Sequence, residues 1–123
     1  MKLLIASKLG PKGLQLLKAQ KQVKFDYFPD LTDDQLTEKI PAYDALIVRS
    51  KPTVSRATIM AGKKLKVVAR AGVGLDNIDQ KAAAEQNIQV LNTPDANTIS
   101  AAEHTFALML AVARNLIPAT TTL

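Results

Sequence analysis

Short apolar runs with β-strand character alternate with segments of helical character at regular spacing along this chain. This alternation is typical of a parallel sheet covered by helices, because each strand returns to the same sheet through a crossover. The candidate strands are residues 3–6, 23–28, 45–48, 66–69 and 89–91. Five β–α units of this length favour an α/β fold, a flavodoxin-like doubly wound parallel sheet with strand order 2-1-3-4-5.

Helix-start signals separate the candidate strands. Pro11 suits the first turn of a helix, where no backbone N–H is needed. Thr32 and Gln35 have the spacing of a capping box, in which side chain and backbone satisfy each other. Ser55 and Asp79 are candidate N-caps of two further helices. The sequence therefore predicts a helix after each of the first four strands.

The C-terminal part of the chain has a different pattern. Ser100 and Glu103 have capping-box spacing, which predicts a long helix from there to about residue 116, before Pro118. Residues 106–113 are apolar on every side of that helix, which indicates a helix buried all round. We expect a surface outside this chain to cover it, and we predict a homodimer through the helix of residues 100–117.

Composition excludes several classes of function. The chain has no cysteine and a single histidine, His104, so we expect neither a disulfide nor a metal site. Aromatic residues make up 4% and tryptophan is absent, which argues against nucleic acid as a partner. No run approaches the roughly 20 apolar residues of a membrane span, so no membrane is expected. The net charge of +5 favours anionic ligands.

Basic and glycine-rich residues follow two strands that the predicted order makes neighbours. Ligands of doubly wound sheets bind beyond the carboxyl ends of the strands, near the point where strand order reverses. Arg49 and Ser50 follow the third strand, and arginine can grip a carboxylate or phosphate with two hydrogen bonds. After the fourth strand comes a glycine-rich turn that can present backbone N–H groups to an anion: Arg70, Ala71, Gly72, Val73 and Gly74. The sequence therefore predicts a site for a small, multiply charged anion.

Three weaker signals have structural explanations. The glycine turn begins a G-x-G-x-x dinucleotide fingerprint, but Asn77 stands at the third glycine and the next strand is followed by Asn92 instead of an acidic residue. A purely structural turn remains the alternative. His104 lacks partners for a catalytic triad. Asp76 and Asp79 fit turn and N-cap duty better than acid–base chemistry.

Three motifs, in this order, carry a family resemblance. They are V-R-S at residues 48–50, R-A-G-V-G-L-D-N-I-D at residues 70–79, and N-T-P-x-x-N-x-x-S-A-A-E at residues 92–103. Together they resemble the N-terminal part of the NAD-dependent D-2-hydroxyacid dehydrogenases, and within that family the enzymes that oxidise 3-phosphoglycerate. The resemblance implies a two-lobed oxidoreductase that converts 3-phosphoglycerate and NAD to 3-phosphohydroxypyruvate and NADH at the entry to serine biosynthesis. The absence of cysteine suits a cytoplasmic location.

The resemblance also assigns roles to residues of this chain. Arg49, Ser50 and Arg70 would bind the substrate, and the turn of residues 71–74 would give backbone donors to its carboxylate. Val73 would also lie near the cofactor, and Asn97 would be a polar residue at the cleft and hinge. No residue here matches the family's catalytic Arg, Glu and His, and His104 is not that histidine.

The resemblance divides the chain into two parts. Residues 1–99 would be the substrate-binding lobe, and residues 100–123 an interdomain helix with the truncated start of the NAD-binding lobe. The rest of that lobe and a returning C-terminal helix would be absent, so we expect the chain alone to be inactive. The alternatives are another D-2-hydroxyacid dehydrogenase, a free-standing flavodoxin-like module, or a unit of folding or assembly. A flavodoxin-like receiver or flavin carrier fits poorly, since acidic and hydroxyl-rich residues are missing after the first strand.

Overall fold

A computed structural model describes residues 1–121 and contains one parallel sheet. Its strands run in the order β2-β1-β3-β4-β5, and every ladder is parallel. This confirms the predicted doubly wound α/β sheet. The strands are β1 (Lys2–Ile5), β2 (Lys24–Tyr27), β3 (Ala45–Val48), β4 (Val67–Arg70) and β5 (Gln89–Leu91).

Strand boundaries differ from the predicted ones by a residue at three strands. β1, β2 and β4 are shifted or shortened, whereas β3 and β5 have the predicted bounds. The physical reason is that hydrophobicity marks burial, while the ladder marks pairing. Ala6 is buried but lies beyond the β1 ladder, and Arg70 is polar but pairs in register with Val48.

Four helices follow the first four strands, as predicted. They are α1 (Pro11–Ala19), α2 (Asp33–Lys39), α3 (Arg56–Ala61) and α4 (Gln80–Glu85), and a 3₁₀ turn (Ile40–Ala42) extends α2. The Thr32 and Gln35 capping box is present in full. Ser55 accepts a hydrogen bond from the Thr58 N–H at 3.3 Å, and Asp79 caps α4. The predicted caps of α2, α3 and α4 are therefore confirmed.

The two faces of the sheet are covered unequally. On one face, Leu4, Leu46, Val48 and Val68 are fully buried beneath α2, α3 and α4. The other face is covered by α1, whose leucines pack on the β1 side of the sheet. An apolar groove of about 330 Å³ remains between α1 and the carboxyl ends of β3, β4 and β5.

The last segment forms two helices where one was predicted. They are α5 (Thr98–Ala113) and α6 (Leu116–Thr121). The predicted capping box at Ser100 is wrong, because α5 begins two residues earlier and the Ser100 hydroxyl donates to the Asn97 carbonyl at 3.1 Å. The helix also ends before residue 116, since Asn115 adopts a left-handed conformation with φ of 50°.

Helix α5 contains no buried residue. Its apolar side chains are exposed on several sides, with Phe106 at 62%, Met109 at 62% and Val112 at 77% exposed. Residues 1–121 therefore do not supply the covering surface that the all-round apolar pattern predicts. No helix in that range is long and apolar enough to cross a membrane. The division of the chain at residue 99 stays a prediction.

Candidate functional site

Two of the predicted anion-binding segments lie side by side at one edge of the sheet. β3 pairs with β4 in parallel, and Val48 is in register with Arg70. The residues that follow these strands therefore leave the same edge together. The first segment is the β3–α3 loop, residues 49–53, and the second is the glycine turn, residues 71–75. Sequence reasoning placed Arg49, Ser50 and Arg70 at this edge, and the structure brings their segments together there.

Ser7, two residues beyond the end of β1, holds the β3–α3 loop from one side. It is buried, and its hydroxyl accepts a hydrogen bond from the Arg49 N–H at 2.9 Å and donates to the Lys51 carbonyl. From the side of α2, the Asp33 carboxylate accepts a hydrogen bond from the Thr53 N–H at 2.8 Å. The loop backbone is thus fixed at both ends, while the side chains of Arg49 and Ser50 are exposed.

Asn77 holds the same loop from the side of the glycine turn. Its side-chain amide donates to the Arg49 carbonyl at 2.9 Å and to the Pro52 carbonyl at 3.1 Å. Asn77 is buried, with 8% of its surface exposed. The polar groups of the Arg49 backbone are therefore both satisfied by side chains, the N–H by Ser7 and the carbonyl by Asn77.

Arg70 ends β4 with a side chain that is only 11% exposed. Its Nη1 donates to the Asp76 carboxylate, which is itself 80% exposed. This hydrogen bond, together with the Asp76 backbone N–H and the positive charge, lowers the pKa of Asp76 below its usual value. The Arg70 Nε is buried and has no hydrogen-bond partner among residues 1–121. A buried guanidinium with an unused donor is suited to bind an anion.

The glycine turn lies against Arg70 without any left-handed residue. A Cβ built on Gly74 would lie 2.6 Å from Asp76 Oδ1 and 3.3 Å from Arg70 Nη1. Glycine at this position therefore makes room for the Arg70–Asp76 pair, and its φ is negative. The Gly72 carbonyl accepts a hydrogen bond from the Thr93 N–H at 3.0 Å. The turn is thus tied to the end of β5 through its carbonyl groups.

Val73 and Asn97 are the remaining predicted site residues. Val73 is exposed on the glycine turn, and its carbonyl accepts a hydrogen bond from the Asn92 side chain at 2.6 Å. Asn97 is the N-cap residue of α5, but its side chain makes no capping hydrogen bond. Its carbonyl accepts from the Ala101 N–H and the Ser100 hydroxyl, both in α5. The assigned roles of these residues in cofactor, cleft and hinge stay predictions.

Sequence reasoning missed the side chains that hold the site together. The sequence analysis assigned no role to Ser7, and it treated Asn77 only as a substitute for a glycine. The available signal was a small polar residue next to a buried apolar one, as in Ala6-Ser7 and Asn77-Ile78. Such residues are buried only if they find partners, so they mark positions where a loop must be satisfied. Within residues 1–121, no three His, Asp or Glu side chains are grouped to hold a metal.

Comparison with models of protein families assigns the chain to one family. The family model for the catalytic domain of D-isomer specific 2-hydroxyacid dehydrogenases matches residues 3–121. The chain belongs to this family. The match extends over both segments of the sheet edge and over α5, which confirms the resemblance carried by the three motifs.

Relatives in the family are D-3-phosphoglycerate dehydrogenases. The enzyme of Synechocystis sp. is 43% identical over 115 residues, which are 94% of this chain and 20% of that protein. The enzyme of Methanocaldococcus jannaschii is 46% identical over 123 residues, which are 100% of this chain and 23% of that protein. The chain thus spans about a fifth of the length of the curated relatives it matches.

Solved structures share the fold. A crystal structure of a Thermus thermophilus protein superposes with a TM-score of 0.89 at 29% identity, covering 98% of this chain and 39% of that one. The NAD⁺-bound 3-phosphoglycerate dehydrogenase of Entamoeba histolytica gives a TM-score of 0.80 at 29% identity, covering 90% and 38% of the two chains. The sheet and its helices therefore form a unit that recurs within longer dehydrogenase chains.

Proposed function

We propose that this chain is the substrate-binding part of a D-3-phosphoglycerate dehydrogenase, which oxidises 3-phosphoglycerate with NAD in serine biosynthesis. One observation carries the proposal: the largely buried side chain of Arg70 has an unused Nε and lies beside the glycine turn, at the end of a strand that pairs with β3, from which the β3–α3 loop follows. A substrate with a carboxylate and a phosphate needs several cationic or N–H donors close together. The names of the relatives support the choice of this substrate over other 2-hydroxy acids.

Each segment has a role in this proposal. Arg49 and Arg70 bind the anionic groups of the substrate, with Ser50 as a further donor. In the turn of residues 71–74, the N–H groups of Val73 and Gly74 donate to the substrate carboxylate. Those of Ala71 and Gly72 already donate to the Val48 and Arg70 carbonyls, so the expectation that all four bind substrate is wrong for these two. The carbonyls of Gly72 and Val73 already accept hydrogen bonds from Thr93 and Asn92, which orients the turn for this purpose. Asn97 contributes a polar group at the cleft.

The chemistry of hydride transfer requires groups beyond those assigned here. NAD supplies the hydride acceptor when bound, and Val73 is the residue of this chain that we expect to contact it. We propose that the acid–base residues and most of the NAD site come from the second lobe of a longer enzyme. The chain alone would then form no NADH from 3-phosphoglycerate, and NADH above a matched blank would contradict this assignment.

A chimera tests the substrate assignment. The chain would replace the matching segment of the Methanocaldococcus jannaschii enzyme, to which it is 46% identical over 123 residues. Arg49→Ala and Arg70→Ala should each raise the KM for 3-phosphoglycerate roughly ten- to a hundredfold, since a hydrogen bond to a charged group contributes about 1.5–3 kcal/mol. The KM for NAD should change much less.

The matched control for this test is Arg56→Ala. Arg56 is exposed on α3 and forms an ion pair with Glu85, away from the sheet edge. Its removal should leave the KM for 3-phosphoglycerate unchanged. An unchanged KM in both the Arg49 and the Arg70 variant would contradict the proposal. A chimera that prefers a hydroxy acid without phosphate would favour another member of the family.

We also propose that the protein forms a homodimer through the helix of residues 100–117. The support is the exposure of Phe106, Met109 and Val112 on different sides of α5. Burying side chains of this size stabilises an interface by about 1.5–3 kcal/mol each, and exposed apolar surface of this kind marks interaction sites. Light scattering at micromolar concentration should give twice the chain mass of 13.3 kDa.

Substitutions sharpen the test of the dimer. Phe106→Glu with Met109→Glu should convert it to a monomer. Leu16→Glu is the matched control, because Leu16 is an exposed apolar residue of α1. A monodisperse monomer of the unsubstituted chain, with α5 folded, would contradict the proposed interface.

We propose a cytoplasmic location for the protein. The absence of cysteine suits a reducing compartment. Two of its relatives, from Arabidopsis thaliana, are chloroplastic, so an organelle is the alternative. Cell fractionation with an antibody to the chain distinguishes the two locations.

A further inference from the structure

We propose that Asn77 is a positioning residue, which holds the β3–α3 loop at a fixed distance from the glycine turn. In the proposed function, Arg49 and Ser50 of the loop bind the substrate together with Arg70 and the glycine turn. The inference therefore rests on the proposed function. Asn77 follows the glycine turn by two residues in the chain, yet its side chain bonds to the loop after β3. It is therefore a direct physical link between the two halves of the anion site.

The side-chain NH₂ group of Asn77 is fully committed to the loop, whereas its buried Oδ1 has no hydrogen-bond partner among residues 1–121. Both protons of its amide are used, one on the Arg49 carbonyl at 2.9 Å and one on the Pro52 carbonyl at 3.1 Å. The two carbonyls lie on either side of Ser50 and Lys51. Because Asn77 is buried, water cannot readily replace it, and losing it would leave both carbonyls without that donor.

The backbone of Asn77 is anchored as firmly as its side chain. Its carbonyl accepts a hydrogen bond from the Val54 N–H at 2.8 Å, and the Asp79 N–H donates to the Val54 carbonyl at 2.9 Å. Val54 and Ile78 thus form a short parallel bridge directly below the loop. The link between loop and turn is therefore rigid at both ends, which is what a positioning group requires.

Ser7 separates two effects that Asn77 combines. Ser7 also fixes the loop, through the Arg49 N–H and the Lys51 carbonyl, but it belongs to the segment after β1 and not to the glycine turn. Removing the Ser7 hydroxyl should loosen the loop itself. Removing the Asn77 amide should loosen the loop and also uncouple it from the turn. We therefore expect Asn77→Ala to weaken substrate binding more than Ser7→Ala does.

The first experiment measures kinetics in the Methanocaldococcus jannaschii chimera. Asn77→Ala should raise the KM for 3-phosphoglycerate by about tenfold or more, because small displacements of a substrate-positioning group can cost up to about a hundredfold. The KM for NAD should stay unchanged. Thr58→Val is the matched control, since Thr58 is buried but bonds to Thr37 and Ser55, away from the loop.

The second experiment uses the chain itself and needs no activity. Amide hydrogen exchange, followed by NMR, reports the opening of individual backbone hydrogen bonds. The Arg49 N–H donates to the Ser7 hydroxyl, and this bond should open more often when Asn77 no longer holds the Arg49 carbonyl. In Asn77→Ala the Arg49 amide should therefore exchange at least about tenfold faster than in the unsubstituted chain. The amides of β3, Ala45–Val48, should be unaffected. Thr58→Val should leave the Arg49 amide unchanged.

Each outcome bears on the inference. The inference is supported if Asn77→Ala raises the KM for 3-phosphoglycerate and speeds exchange at Arg49, and Thr58→Val does neither. An unchanged KM for Asn77→Ala, while Arg49→Ala raises it, overturns the positioning role and leaves the proposed function standing. Unchanged KM values for the Arg49, Arg70 and Asn77 variants overturn both. Equal effects of Asn77→Ala and Thr58→Val would show general loosening of the fold, which also overturns it. If the chimera is inactive, unchanged exchange at Arg49 overturns the inference.

Discussion

Helices α2, α3 and α4, which pack on the sheet, differ from α5, which follows it, in length, in capping and in burial. Helices α2, α3 and α4 have 7, 6 and 6 residues, and each has a side-chain N-cap and at least one buried residue. Helix α5 has 16 residues, yet it has no side-chain N-cap and no buried residue. Of these four helices, the three short ones therefore have side-chain caps and buried residues, and the long one has neither.

The two kinds of helix obtain their stability from different sources. A helix of six or seven residues is unstable by itself in water, so it needs caps and a packed face. Helix α5 is longer and rich in alanine, leucine and methionine, which favour the helical state without caps. Its apolar residues have no covering surface in the described part of the chain. One-sided apolar patterns indicate packing on the chain's own sheet, and all-round patterns indicate packing on something else.

The largest expected effect compares a buried residue of α2 with an exposed residue of α5. Leu36 of α2 is fully buried, so Leu36→Ala should lower the free energy of unfolding by about 2–5 kcal/mol. Leu110 of α5 is half exposed, so Leu110→Ala should change it by less than about 0.5 kcal/mol at low protein concentration. Urea unfolding, followed by circular dichroism, measures both.

Protein concentration provides the control for this pair. If α5 packs against a second copy, the effect of Leu110→Ala should grow as the concentration rises, because association stabilises the folded state. The effect of Leu36→Ala should not. If both variants lost the same unfolding free energy in the dilute protein, the contrast would be wrong, since α5 would then be packed within its own chain.

Alkaline pH offers a second, smaller test. The Tyr43 hydroxyl donates to the Asp26 carboxylate at 2.7 Å, and burial together with this bond raises the pKa of Tyr43 to about 12. The unfolded pKa is about 10, so this contribution is present below about pH 10 and is lost as the pH rises through the folded value. Helix α5 contains neither tyrosine nor lysine.

We therefore expect Tyr43→Phe to change the alkaline profile and α5 variants to preserve it. Near neutral pH the variant should lose about 1.5–3 kcal/mol, the contribution of a hydrogen bond to a charged group. Between about pH 10 and 12 it should lose less further stability than the unsubstituted protein. Leu110→Ala should retain the original pH dependence of the unfolding free energy. A Tyr43→Phe profile that parallels the original would contradict the assignment.

Much of the fold could be predicted because its signals are local. The strand order followed from five β–α units, and the caps at Thr32, Ser55 and Asp79 followed from residue type and spacing. The start of α5 could not be predicted from spacing. Ser100 and Glu103 have the residues of a capping box, but the hydroxyl of Ser100 bonds to the carbonyl of Asn97. A capping motif fits any position that the preceding backbone allows, and that backbone is set by tertiary structure.

The site was predictable in its position but not in its connections. Arg49 and Arg70 could be placed at the sheet edge because both follow strands that pair. The Arg70–Asp76 pair and the bonds of Asn77 depend on which side chains meet after folding, and no periodicity records this. Asn77 is an example: the sequence analysis treated it as a departure from a glycine motif, and this gave no indication that its side chain is a buried hydrogen-bond donor.

The smallest expected effect concerns the caps themselves. The Asp79 carboxylate accepts a hydrogen bond from the Ala82 N–H at 2.9 Å at the start of α4. Asp79→Ala should therefore lower the free energy of unfolding by about 1 kcal/mol, the usual cost of losing an N-cap. The corresponding residue of α5, Asn97, makes no side-chain capping bond, so Asn97→Ala should cost much less.

This pair tests whether α5 begins where it does because of its N-cap. If Asn97→Ala destabilised the protein as much as Asp79→Ala, the start of α5 would be held by a side chain, and the contrast between the two regions would fail. If only Asp79→Ala has an effect, the start of α5 is set by its helix-forming residues and by the turn before it. Thermal unfolding of the two variants at low protein concentration decides between these results, because association through α5 would otherwise mask a small change.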